Sequence, residues 1–436
     1  MRINNISIAE FYQLRDMELV FQQPHHYYFK PLHINIIVGQ NGTGKTTLLK
    51  FLSQVFIAAE RSQMTTQYQV DFELASGQAC SINQYVGHRQ NPGPAKVIVS
   101  TFSPHEQYNR KSGGKYAYVG AAGNDQIKNL FYPLIEIQSS DDFMKRDALQ
   151  NLLREIGYPE TPFIELDYDS LFNNEYIGSR NETLRELLFQ LRDHHNRFSV
   201  EREGRKLLPI DSIHNFPGGR KKWMSAIKKF RVYGNTRIAN LWFHKRNHIR
   251  LGTDTYIPMT SLSSGEMTMY FRIFRILNAI TNDALVLIDE PETHLHPKWI
   301  QKYTMLIRNV FREYTAHFII ATHSPIITSD VPRECIVALK KSELGVEPYY
   351  ITDRTLGTSP REILHEVFGL TNYVGDLTNE VVQHIRHLLR MQPARGSNDY
   401  NTLLRLYRDL GDSDQKFELF NRLADLYPED FGYVED

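Results

Sequence analysis

A chain of 436 residues, 41% hydrophobic and 12% aromatic, can bury a sizeable core, which excludes a disordered or low-complexity protein. Fifty Lys and Arg balance fifty Asp and Glu, so net charge by itself calls for no polyanionic partner. The two cysteines, Cys80 and Cys335, stand far apart and outside any Cys/His spacing; this excludes a zinc hook or structural zinc and suits a reducing compartment.

The first segment, "MRINNISIAEF", reads as the start of a β-strand and carries no apolar signal stretch. No apolar run is long enough to span a bilayer, so the expectation is a soluble, cytoplasmic protein. "INNISI" alternates, "MELVF" follows, and "HINIIV" is a continuous apolar run of the kind buried in parallel sheets. A helix after Thr46 carries Leu48, Leu49, Leu52, Val55 and Phe56 on one stripe. "YQVDFEL" and "QACSINQYV", joined through "ASG", form a predicted hairpin, and "KVIVSTFS" is a further buried strand.

From about Ile137 to Asp254 the pattern is helical and irregular. After Thr260 it becomes regularly α/β: a helix from Glu266, strand "ALVLID", helix "KWIQKYTMLIRNVFREY", strand "HFIIAT", then strand "CIVAL". The last stretch, from about Ser359, holds the amphipathic segments "NEVVQHIRHLLRM", "YNTLLRLYRDL" and "QKFELFNRLADLY". These readings predict an α/β protein with a largely parallel sheet covered on both faces. They divide the chain into 1–136, a helical insertion at 137–254, 255–358, and a helical tail at 359–436 that offers a docking surface.

Four stretches carry chemistry. "GQNGTGKTT" follows a predicted strand and opens a helix, the context a phosphate-binding loop requires. Its Gly39, Asn41, Gly42, Gly44, Lys45, Thr46 and Thr47 are the expected nucleotide contacts. The glycines let backbone N–H groups close on phosphates, Lys45 brings a cation, and the Thr46 hydroxyl can ligate Mg²⁺. "ALVLIDEPETHLHP" is a buried strand ending in two carboxylates that alternation points apart. Asp289 is expected to hold Mg²⁺ through water, and Glu290 to act as general base. "FIIATHSP" ends another buried strand in His323, a candidate γ-phosphate contact. "TSLSSGEMTMY" has the composition of a helix N-terminus prepared for an anion, with Met269, Ile273 and Ile276 on the apolar face.

In this order, P-loop, "LSSGE", strand-DE and strand-His resemble the ABC-type ATPase superfamily, over residues 1–100 and 255–345. "DEPETHLHP" and "THSP" look like the branch holding SMC, RecF and OLD-type proteins. The resemblance implies an ATPase head, a mixed sheet with an antiparallel β subdomain, and ATP and Mg²⁺ as ligands. It also implies that Ser263 and Gly265 of one subunit contact the γ-phosphate held by the P-loop of another, so that two heads close on two ATP molecules. At the family's Mg²⁺-ligating glutamine the chain departs from the pattern: "VSTFSPHEQYNR" offers Gln107 only loosely in that place, with Ser103 and His105 nearby. Tyr27, Tyr28 and Phe29 are the candidates for the adenine.

The insertion is too short and irregular for SMC-class coiled-coil arms. The tail has no metal-binding nuclease pattern, since its one DxD, Asp412 and Asp414, falls between two helices. "TSPREILHEVFGL" and the helices after it resemble the stand-alone ATPases of bacterial anti-phage systems, the Septu type above all. That resemblance implies a separately encoded HNH nuclease as partner. Between Asp211 and Asp254 there is no acidic residue, while ten basic residues run from Arg220 to Arg250. Trp223, Phe230, Tyr233, Trp242 and Phe243 interleave with them. This pattern points to nucleic acid, with cations on phosphates and aromatics stacked on bases, or else to an acidic protein surface. Two other readings stand beside nuclease regulation: a nucleotide-sensing scaffold with little turnover, and a RecF-like or SMC-like repair ATPase.

Overall fold

A computed structural model describes the whole chain except residues 23, 25–29, 59–65, 85–91, 103–107, 111, 121–125, 139, 159, 167–181, 234–238, 246–254, 344, 371–374 and 432–436. At 58, 126–129, 131, 230–233, 239 and 240 it describes the backbone alone. In chain order the strands are β1 (Arg2–Phe11), β2 (Leu14–Val20), β3 (His33–Gly39), β4 (Tyr68–Glu73), β5 (Ala79–Asn83) and β6 (Lys96–Thr101). There follow β7 (Tyr116–Val119), β8 (Phe163–Leu166), β9 (Val200–Arg202), β10 (Arg205–Pro209), β11 (Ala239–Lys245) and β12 (Thr255–Pro258). The last four are β13 (Ala284–Asp289), β14 (His317–Ala321), β15 (Ile336–Ser342) and β16 (Gly345–Tyr350).

The central sheet has seven strands in the order β16-β15-β3-β14-β13-β6-β7. All its pairings are parallel except the antiparallel edge pair β15–β16. Buried on both faces, its strands sort their side chains by alternation. Ile36, Ile98, Val286, Ile288, Phe318 and Ile320 enter one core. Ile37, Val97, Val99, Leu285, Leu287 and Ile319 enter the other. The first core is completed by helices Phe143–Glu155 and Ser264–Ala279, the second by helix Lys45–Ala58 and the antiparallel sheet β2-β1-β4-β5. The predicted hairpin is β4–β5, with Val70 opposite Ile82. One buried histidine joins the two sheets: His317 Nδ1 accepts from the Ile3 N–H at 3.0 Å, and its Nε2 meets Asn35 Oδ1 at 2.9 Å.

Three strands end together. Asp289 pairs with Ala321, and Ala321 with Ile37, so β13, β14 and β3 run in register to one edge of the sheet. Their C-terminal ends deliver the carboxylate pair, His323 and the P-loop to one place, where open parallel sheets bind ligands.

Two expectations about the organisation are corrected. The insertion is not wholly helical, for it holds β8, β9, β10 and β11, four of the five strands of the antiparallel sheet β12-β11-β8-β10-β9, whose fifth, β12, follows directly after it. The chain also divides into compact units Met1–Gly369 and Leu370–Asp436, not at residue 359. Ile363, Val367 and Phe368, which follow helix Pro360–Glu366 or lie within it, are buried in the first unit's core. The second unit has a core of its own, made by Val382, Ile385, Leu389, Leu403, Leu419 and Leu423 of helices Asp376–Met391, Asn398–Asp409 and Asp414–Leu426. Among the described residues no helix is long and apolar enough to cross a membrane.

Candidate active site

The turn after β3 depends on backbone that only glycine adopts cheaply. Gly39 has φ 152°, and a Cβ there would stand 2.5 Å from the Leu339 carbonyl oxygen. Gly44 has φ 86°, and a Cβ would meet Leu14 at 2.8 Å. Lys45, buried at the start of its helix, donates from Nζ to the carbonyls of Gly39 at 2.8 Å and Gln40 at 3.0 Å. Burial lowers its pKa to about 8, against the opposing pull of Glu290, Asp289 and Glu292. An ammonium held at low hydration on the loop is poised to exchange carbonyl oxygens for phosphate oxygens. Thr47 Oγ1 accepts from Gln13 of the β1–β2 turn at 2.8 Å, while Asn41 and Gly42 are exposed.

At the end of β13 the Asp289 carboxylate accepts from Thr46 Oγ1 at 3.1 Å and from the Tyr108 hydroxyl at 3.1 Å. Burial raises its pKa to about 6, and those two hydrogen bonds hold it from going higher. Tyr108 is buried too, and burial together with the Asp289 charge pushes its phenol well above the ordinary value. Thr46 Oγ1 and Asp289 Oδ1 are hard oxygen donors side by side, a pair that fits Mg²⁺ and offers nothing to a softer metal.

Glu290 sits at φ 48°, a left-handed conformation that turns it away from Asp289. Its Oε1 lies 3.4 Å from His323 Nε2 at the neighbouring strand end, and both side chains remain about one-third exposed. Burial and the Lys45 charge lower the His323 pKa, which favours a neutral ring. Glu292 reaches across from the turn after Glu290. Its Oε1 accepts from Thr322 Oγ1 at 2.8 Å and from the His323 N–H at 2.6 Å.

"TSLSSGEMTMY" begins helix Ser264–Ala279. Ser263 is its N-cap and forms a reciprocal capping box with Glu266: the Glu266 N–H reaches Ser263 Oγ at 3.3 Å, and the carboxylate takes Ser263 N–H and O–H at 2.9 and 2.7 Å. Ser263 and Ser264 are exposed. The missing Cβ of Gly265 lets Trp299 approach, since one placed there would stand 3.1 Å from the indole. From the same helix, the buried Arg272 donates to the carbonyls of Pro291 and Thr293 at 2.6 Å each, with its guanidinium 3.9 Å over the Phe102 ring. Burial lowers its pKa to about 10.

The structure thus gathers Lys45, Thr46, Asp289, Glu290 and His323, and leaves an exposed Ser263 and a half-buried Gly265 at a helix start apart from them. Gln107, Ser103, His105, Tyr27, Tyr28 and Phe29 lie outside the described residues. Sequence reasoning missed Tyr108, Arg272 and Glu292. Tyr108 and Glu292 lie inside the quoted stretches "VSTFSPHEQYNR" and "DEPETHLHP", and Arg272 is a cation on an apolar helix face.

The basic segment is corrected in part. Helix Gly219–Tyr233 has no acid in its first turn but Arg220, Lys221 and Lys222, a placement the helix dipole opposes. Arg220, Lys221, Lys228 and Lys229 line a cavity of about 620 Å³ with Glu136, which Lys228 approaches at 3.4 Å. The described aromatics, however, belong to the core: Trp223 and Phe243 are fully buried, and Trp242, also buried, donates to Glu165 at 2.9 Å. They are not available to stack on bases. The side chains of Phe230 and Tyr233, and residues Arg237, Arg246 and Arg250, lie outside the description.

Residues 1–105 match the family model "AAA ATPase domain" and residues 140–329 the one described as "AAA domain, putative AbiEii toxin, Type IV TA system". The chain is 27% identical over 206 residues to "Protein ea59" of Escherichia phage lambda, covering 43% of this chain and 38% of that protein. It is 21% identical to "Retron Vc95 probable ATPase" of Vibrio cholerae serotype O1 biovar El Tor over 84% of this chain and 78% of that one. It is 23% identical to "Septu protein PtuA" of Bacillus thuringiensis over 77% of this chain and 78% of that one. Among solved structures it is similar to "SMC head domain from Thermotoga maritima", with TM-score 0.38, 10% identity, and coverage of 81% of this chain and all of that one.

Proposed function

We propose that this chain, an ATPase of the SMC/RecF/OLD-like branch, dimerises around ATP and regulates a separately encoded HNH-type nuclease in anti-phage defence. The observation that carries the dimer is the exposed start of helix Ser264–Ala279. The chain's own P-loop and strand ends already bring together Lys45, Asp289, Glu290 and His323, while Ser263 and Ser264 stand exposed beside Gly265 at the helix start, with the Ser263 N–H and O–H engaged by Glu266. An anion arriving there meets the positive end of a helix. It must first displace the Glu266 carboxylate from Ser263, which makes engagement conditional on a strong acceptor such as a γ-phosphate. The defence role rests on the similarity to the Septu and retron proteins.

In this reading Lys45 stabilises charge on the outer phosphates, and Thr46 and Asp289 would hold Mg²⁺, Asp289 through a water. Mg²⁺, when bound, neutralises developing charge on the phosphate oxygens. Glu290 takes the proton of the attacking water, and His323, neutral and in contact with Glu290, donates toward the γ-phosphate. Ser263 and Gly265 of the second subunit close the site. Helix Gly219–Tyr233 brings the complex to nucleic acid through phosphate contacts, with Trp223 turned into the core, so binding is largely independent of sequence.

Complementation tests the dimer. Lys45→Ala and Ser263→Arg are each inactive alone. Mixed one to one, half the dimers hold one site with an intact P-loop and an intact partner helix, so about a quarter of wild-type turnover returns if the sites are independent. No gain over the separate variants, with both melting like wild type, contradicts the trans reading.

A further inference from the structure

We infer that Glu292 is a positioning residue for His323, fixed in turn by Arg272 of helix Ser264–Ala279. The inference rests on the ATPase reading of the site. It starts from a carboxylate in an unusual setting. Glu292 Oε1 takes two donors from the next strand end, Thr322 Oγ1 at 2.8 Å and His323 N–H at 2.6 Å. The Thr322 oxygen in turn accepts from the Ser324 N–H at 2.9 Å. One oxygen therefore sets the whole exit from β14, where the chain turns into helix Pro325–Thr328. Glu292 Oε2 is buried and has no hydrogen-bond partner among the described residues. A buried unpaired carboxylate oxygen is costly, and an amide would serve the two donors as well. What the acid adds is charge, and the cations of the site feel it. Glu292 opposes the lowering of the Lys45 and His323 pKa values on one side and of the Arg272 pKa on the other.

The backbone that carries Glu292 is held from outside the strand ends. Arg272 donates to Pro291 O and Thr293 O, the carbonyls immediately before and after it, at 2.6 Å each. The Thr293 N–H reaches back to Glu290 O at 3.2 Å, so the same turn also carries Glu290. A rigid series results: the helix start bearing Ser263, Arg272, the turn 290–293, Glu292, and the backbone of His323. Its last member is the ring whose Nε2 faces Glu290 at 3.4 Å. Two functions separate by chemistry: Oε1 sets where His323 sits, and the charge sets how readily it protonates.

Three variants separate them. Glu292→Gln keeps an acceptor of the same reach and removes the charge, Glu292→Ala removes both, and Arg272→Lys keeps a cation while losing the two-carbonyl clasp. The expected results are a kcat for ATP within about fivefold of wild type in Glu292→Gln, and about 100-fold lower in Glu292→Ala with KM within about threefold, the loss that displacing a reacting group by about 1 Å gives. A second readout needs no turnover: the His323 imidazole resonance in the nucleotide-free protein, assigned with His323→Gln. In Glu292→Gln it should titrate at lower pH than in wild type, with its neutral-form position retained. In Glu292→Ala, and more weakly in Arg272→Lys, the neutral-form position itself should move. Unchanged His323 resonances in Glu292→Ala overturn the inference, whatever turnover does. So does equal loss of kcat in Glu292→Gln and Glu292→Ala. If wild type proves to hydrolyse no ATP, the ATPase reading fails while the resonances still decide the positioning.

Discussion

Replacing Tyr108 by Phe removes one oxygen atom from the best-buried polar contact of the site. Asp289 is 4% exposed and, among the described residues, has two side-chain donors, Thr46 Oγ1 and Tyr108 O–H. A hydrogen bond to a charged acceptor contributes about 1.5–3 kcal/mol, and 1.36 kcal/mol corresponds to one pKa unit, so Asp289 should move up from about 6 by roughly one to two units. The sign follows from the raised folded-state value. Above that value Asp289 is ionised in both states and carries its full burial penalty, and the lost phenol deepens it. As pH falls through the variant's midpoint toward 6 the carboxyl takes up a proton in the folded state, and the gap between variant and wild type narrows to that of a neutral hydrogen bond, about 1 kcal/mol. Thermal melts of metal-free protein from pH 5 to 9 should therefore diverge upward in pH. At pH 7 the proton competes for the carboxylate, so apparent Mg²⁺ affinity should fall between about two- and tenfold and recover by pH 9. Parallel melting curves and an unchanged Mg²⁺ titration would refute the role given to Tyr108.

Three further outcomes follow from the same geometry. Because Lys45 loses its proton near pH 8 in the free protein, ATP affinity should weaken as pH rises past that value, and binding at pH 9 should take up about one proton by calorimetry in buffers of different ionisation enthalpy; an enthalpy independent of buffer contradicts it. Arg272→Met keeps the volume but strands two buried carbonyls, so stability measured by denaturant should fall by about 3 kcal/mol, and a loss below about 1 kcal/mol would mean the clasp is loose. Neutralising Arg220, Lys221 and Lys229 together should flatten the slope of log affinity against log salt for duplex DNA by about 0.9 per lost phosphate contact, equally for unrelated sequences; an unchanged slope removes nucleic acid from that surface.

Much of this was legible because it is periodic or local. "HINIIV", "ALVLID" and "HFIIAT" are apolar on both faces, which places them inside a parallel sheet and their polar ends at one edge. The P-loop announces itself because only glycine tolerates its turns. What escaped was fixed by contacts between distant residues. Tyr108 meets a carboxylate 181 positions away, and Glu292 serves the histidine at the next strand end; the motifs around them are visible in the sequence, but these partners are not. The interleaved aromatics misled for a related reason. Alternation with cations suits a stacking surface and equally suits a helix or strand with one wet and one dry face, and Trp223 and Phe243 took the dry one. Within the insertion β8, β9 and β10 are three to five residues long, too short for a period of two to stand out from noise.

Assembly around ATP is tested most directly by the mass of Glu290→Gln in solution, a variant expected to hold ATP without turning it over. Measured by light scattering on a sizing column, it should run at twice the chain's 50.9 kDa when ATP and Mg²⁺ are present and return to one chain when Ser263→Arg is added. A mass that ignores ATP, or a dimer that tolerates Ser263→Arg, would contradict the account.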